Sequence, residues 1–77
     1  GQGEEALAAV ARHRREFPRG RFGVEMSVVE IEALALVGRL DEAASRGQRF
    51  LESHRGSPYT RRVEAVVRAR GQEELPR

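Results

Sequence analysis

The chain writes one pattern twice. The stretch "EALAAVARHRREFPRGRF" (residues 5–22) and the stretch "EAASRGQRFLESHRGSPY" (residues 42–59) superpose at an offset of 37 positions. Ala6 falls on Ala43, Leu7 on Ala44, Val10 on Gly47, His13 on Phe50, Phe17 on His54, Gly20 on Ser57 and Phe22 on Tyr59. The segments that follow align Met26 with Val63 and Val29 with Val66. A helix-turn-helix unit repeated in this way signals a stacked architecture, because no single unit can bury its own apolar face.

Length sharpens that constraint. At 77 residues the chain is one small domain, near the lower limit at which an apolar core suffices alone, and it has no cysteine to form a disulfide or a thiolate metal site. Burial between helices must supply the stability. No apolar run approaches the roughly 20 residues of a membrane span, and the opening residues lack the basic-then-apolar pattern of a secretory signal. The leading "GQG" reads as a vector remnant or disordered lead-in.

Prolines and glycines cut the rest into four segments of helical period, and nothing reads as a strand. The first, Glu4 to Phe17, opens acidic and closes on Arg12, Arg14 and Arg15, which complements the helix dipole, and Pro18 stops it. The second, about Phe22 to Val37, is apolar on more than one side: Met26, Val29, Ala33 and Val37 form one stripe, with Val28, Ile31, Leu34 and Ala35 beside it. Such a helix packs against neighbours on two sides. Gly38 ends it. The third, Asp41 to His54, aligns Ala43, Ala44, Gly47, Phe50 and Leu51 on one face. Ser57 is a natural N-cap and Pro58 suits a first helical position, so the fourth helix runs Pro58 to Arg70 with Tyr59, Val63, Val66 and Val67 inward. Gly71 reads as its left-handed C-terminal residue, and residues 72–77 as a frayed tail. The predicted domain spans residues 4–71.

The run "GRLDEAASRGQRFLESHRGSPY" resembles the tetratricopeptide repeat: a small residue at the turn (Gly38), an acidic-then-alanine start (Glu42, Ala43), a large apolar residue further on (Phe50), and a proline-containing exit. It is most similar to the repeats of bacterial envelope-assembly lipoproteins, with "FPRGRF" and "HRGSPY" as two degraded copies of their exit. The resemblance implies an all-α solenoid fragment: one full repeat at about residues 22–54 between two half repeats, cut from a larger bacterial protein. It favours a periplasmic or membrane-associated setting over the cytoplasm. It also implies a non-catalytic scaffold whose groove receives a protein or peptide, and position by position it assigns that groove to Glu25, Val28, Glu32, Ala35, Arg62, Ala65 and Ala69.

The remaining candidates have simpler readings. His13 and His54 each occupy a slot where the sister unit holds an aromatic, so they read as ring substitutes at helix interfaces, with no second ligand at metal spacing. No catalytic constellation, phosphate loop or cofactor motif is visible. All 14 basic residues are arginine, a codon-bias signature, and 12 carboxylates hold the net charge at +2, a poor footprint for nucleic acid. The cluster Arg12 to Arg21 and the pair Arg61, Arg62 keep an anionic surface or nucleic acid as the weakest alternative. A second alternative is dimerisation. Open solenoid ends would expose Leu7 and Val10 on the first helix and Val63 and Val67 on the fourth, and no capping repeat is evident.

Overall fold

The computed structural model describes residues 1–17 and 23–74, the last three of these by their backbone alone. Four helices follow in order: α1 (Gln2–Glu16), α2 (Val24–Leu36), α3 (Leu40–Ser53) and α4 (Thr60–Glu74). No strand occurs among the described residues. The expected stop at Pro18 and the helix start at Phe22 lie outside them, as do residues 75–77.

Consecutive helices pack antiparallel. Gly3 at the start of α1 meets Val37 and Leu36 at the end of α2, and Gly47 of α3 meets Val63 and Val67 of α4. Beyond its chain neighbours α1 and α3, α2 also packs on α4, whereas α1 and α3 do not pack directly among the described residues. α2 is therefore the central helix, as its broad apolar surface predicts. Val28, Ile31 and Leu34 of α2, Ala43 and Phe50 of α3, and Val63 and Val66 of α4 form one core, with Leu7, Ala35, Leu51 and Tyr59 packed against it.

The turns follow from their residues. Gly38 has φ +85°, where its amide donates to Ala35 O (3.1 Å) and the Arg39 amide donates to Leu34 O (2.9 Å), so the last carbonyls of α2 are satisfied by a left-handed exit. Gly56, at φ +84°, serves the second turn. Ser57 Oγ accepts the Tyr59 amide at 3.1 Å, but in a turn that precedes α4: the helix starts at Thr60 and not at the expected Pro58, so Ser57 organises the entry to the helix without standing at its N-cap.

The duplication has a physical counterpart. The rings of His13 and Phe17 lie 5.2 Å apart near the end of α1, and those of Phe50 and His54 stack at 4.7 Å at the end of α3. These are the same two positions at the repeat offset, with histidine and phenylalanine exchanged. Both histidines thus sit where ring packing, and not metal chemistry, explains them.

Three expectations fail at the ends of the chain. Gly3 is buried, and a Cβ there would stand 2.7 Å from Val37 Cγ1 and 3.2 Å from Ala33 O. The lead-in is therefore the first turn of α1, at a close approach that only glycine permits. Gly71 is an exposed interior residue of α4, which continues to Glu74, so neither the C-terminal stop nor a tail beginning at residue 72 holds. The predicted open apolar ends are also corrected. Val10 and Val63 are 2% and 0% exposed, and Val67 packs on Gly47, because both end helices turn their apolar sides inward. Their outer sides carry Glu5, Arg12 and Arg15 on α1, and Arg61, Glu64 and Arg68 on α4.

Candidate interaction face

Of the seven residues assigned to a groove, α4 presents its three as expected: Arg62, Ala65 and Ala69 are exposed. The α2 set divides. Glu25 is exposed and Glu32 half-buried, whereas Val28 is 0% exposed in the core and Ala35 packs against it. The reason is rotation about the helix. At about 100° per residue, Val28 and Ala35 lie about 50–70° to one side of the line midway between Glu25 and Glu32, towards the core. Leu36 lies about 30° to the other side of that line, and Val29, which is half-buried, about 50° to that side. Leu36 is 69% exposed, the most exposed large apolar side chain among the described residues.

The corrected face is therefore Glu25, Val29, Glu32 and Leu36 of α2 beside Arg62, Ala65 and Ala69 of α4. Its two helices are joined by a forked ion pair. Arg62 donates from Nε to Glu32 Oε2 at 3.0 Å and from Nη2 to Glu32 Oε1 at 2.5 Å. The hydrogen bond to Glu32, with the carboxylate's charge, raises the Arg62 pKa further above its already high value. Arg62 also lies 5.5 Å from the centre of the Tyr59 ring. Glu32 and Arg62 thus neutralise each other, and Glu25, whose charge also acts on Arg62, is the exposed carboxylate left on the face. Leu7 is partly buried against the core and offers little to a second copy.

A second polar assembly lies on the other side of α2, and nothing in the periodicity announced it. Glu30 is only 8% exposed, yet it holds two arginines. Arg14 of α1 reaches it through Nη2 to Oε1 (3.1 Å) and Nη1 to Oε2 (3.1 Å), and Arg46 of α3 donates from Nη1 to Oε1 at 2.9 Å. Arg46 also reaches Glu42 at 3.4 Å, and Arg39 closes the chain on Glu42. The Arg39 hydrogen bond holds the Glu42 carboxyl below the usual glutamate range. One buried carboxylate therefore ties α1 and α3, which do not pack directly on each other among the described residues. The signal was present as a charge in the middle of the most apolar helix, an expensive placement unless paired.

Among the described residues, no group of three His, Cys, Asp or Glu side chains is placed to hold a metal ion, and no helix is long and apolar enough to cross a membrane. No family model, curated protein or solved structure matches the chain.

Proposed function

We propose that this chain is a non-catalytic protein-interaction module of tetratricopeptide type, part of a larger bacterial assembly protein, and that it docks a partner segment on the shared face of α2 and α4. The observation that carries the reading is Leu36, a large apolar side chain 69% exposed on the most buried helix, with the half-buried Val29 on the same side of α2, while α4, joined to α2 through Arg62 and Glu32, presents the small exposed Ala65 and Ala69. A helix or extended segment laid across this face gains apolar contact at Leu36 and Val29, and its positive charge meets Glu25. The arrangement of the helices and the twice-occurring ring pair support the family reading. Because the scaffold is already folded, docking costs little order on this side.

The test is selection of displayed random peptides on the immobilised chain, followed by binding measurements against Leu36→Asp. Selected peptides should carry at least one basic residue and lose about tenfold or more in affinity for L36D, whose melting temperature should match wild type. Peptides that bind both proteins equally would place the docking surface elsewhere and defeat the proposal. Glu25→Arg should weaken the same peptides without changing stability, since Glu25 is exposed.

A further inference from the structure

The helix side that carries Glu25, Val29, Glu32 and Leu36 faces away from Ser27, Glu30 and Ile31 of the same helix, which lie about 180° round it. On that opposite side, a cleft of about 220 Å³ opens between α1, α2 and α3. Its walls bring Arg14, Arg46 and Arg49 around Glu30, with Ser53 and His54 at the end of α3. Counted with Glu42 and Arg39, which continue the ion-pair chain of Arg46, four guanidinium charges stand against two carboxylates and leave two positive charges about the cleft.

Two of these groups have unused donor capacity. Arg46 directs Nη1 at Glu30 and Nη2 at Glu42, and its Nε has no partner among the described residues. Arg49 has no ion pair or hydrogen bond among them. Meanwhile Glu30 fixes the guanidinium groups of Arg14 and Arg46, so the site is organised before any ligand arrives.

We propose that this cleft binds a phosphate monoester, held by Arg49 and the Nε of Arg46. The chemistry fits in two ways. Two excess positive charges match a dianion, where a carboxylate brings only one negative charge. The donors also converge from Arg46 and Arg49, three apart on α3, as two separate groups, which suits several oxygens on a tetrahedral centre better than a single planar fork. The site is independent of the docking face, since it lies across α2 from it.

Amide NMR titration of the isotope-labelled chain at constant ionic strength tests this, with inorganic phosphate as one probe and a phosphoserine tripeptide as the other. Saturable shifts should be confined to Ser27, Arg46, Arg49, Ser53 and His54. Arg49→Gln should weaken binding about tenfold, while Arg68→Gln on the outer side of α4 leaves it unchanged. Ser53→Asp, an exposed carboxylate at the cleft wall, should weaken binding as strongly as R49Q. Tighter binding of the tripeptide would identify a phosphorylated partner chain as the source, and equal or tighter binding of inorganic phosphate a small phosphorylated molecule. Linear shifts spread over both arginine-bearing ends, or equal losses in R49Q and R68Q, would overturn the site.

Discussion

At the repeat offset, α2 and α4 are the same helix with different neighbours. Val28 stands for Ala65, Ile31 for Arg68 and Leu34 for Gly71. In α2 those three residues are 0%, 2% and 2% exposed, and in α4 all three face solvent. The inward sides agree better: Val63 and Val66 are buried, and Met26 and Val29 half-buried. A central helix keeps a second apolar side for its second neighbour, whereas a terminal helix replaces that side with small and charged residues. The side of α4 away from α2 and α3 is polar or small for that reason.

The sharpest way to break this comparison is to truncate both helices at one repeat position. Leu34→Ala removes a fully packed side chain and should destabilise the domain by about 2–5 kcal/mol, a large part of what so short a chain possesses. At the matching position Gly71→Ala should stabilise by up to about 1 kcal/mol, since an exposed helical glycine with nothing within 4 Å gains helix propensity at no steric cost. Chemical denaturation of the two variants measures both. A loss of stability in G71A would mean that α4 ends at Gly71 after all.

Glu30 and Val67 form the second matched pair, and they show how differently one position can be used. Val67 lies against Gly47, which has no side chain to keep it off: a Cβ on Gly47 would stand 2.8 Å from Val67 Cγ2. Glu30, its counterpart, instead joins α1 to α3 through Arg14 and Arg46. Glu30→Gln keeps the shape and removes the charge, and because both arginines remain partly hydrated the loss should be about 1–2 kcal/mol. Addition of salt should shrink the difference between E30Q and wild type. A variant as stable as wild type in low salt would show that the clasp organises the cleft without holding the helices.

How much of this was legible in the sequence follows the same division. Helix number, the turn glycines and the double-sided packing of α2 could be read because each rests on local chemistry or on period. The rotational phase of the face was misjudged at Val28 and Ala35, since a helix apolar on most of its circumference does not say which neighbour covers which side. Gly3 and Gly71 were misread for a related reason: a glycine near a terminus looks the same whether it frays, caps or receives a neighbouring helix. Glu30 could have been flagged as a charge among apolar residues, but its partners, Arg14 and Arg46, each lie 16 positions away on different helices. Only the fold joins them.

The smallest expected effect concerns the chain of ion pairs running out from Glu30 to the surface. Glu42 has its pKa lowered in the folded state, first by the hydrogen bond from Arg39 and then by the charges of Arg39 and Arg46. A carboxyl with a depressed folded-state pKa contributes stability that is complete above its unfolded value and disappears as the pH falls through the folded one. Thermal melts in steps from neutral pH down to pH 3 should therefore show wild type losing stability on the acid side, and Glu42→Gln losing less of it. Arg39→Gln should flatten the same limb, because it removes the leading cause of the shift. The exposed pair is screened by water and ions, so the difference will be slight and should vanish in high salt. An acid limb unchanged in both variants would assign the pH dependence to other carboxylates, with Glu4 beside the N-terminal ammonium as the next to replace, since its pKa is lowered by that contact.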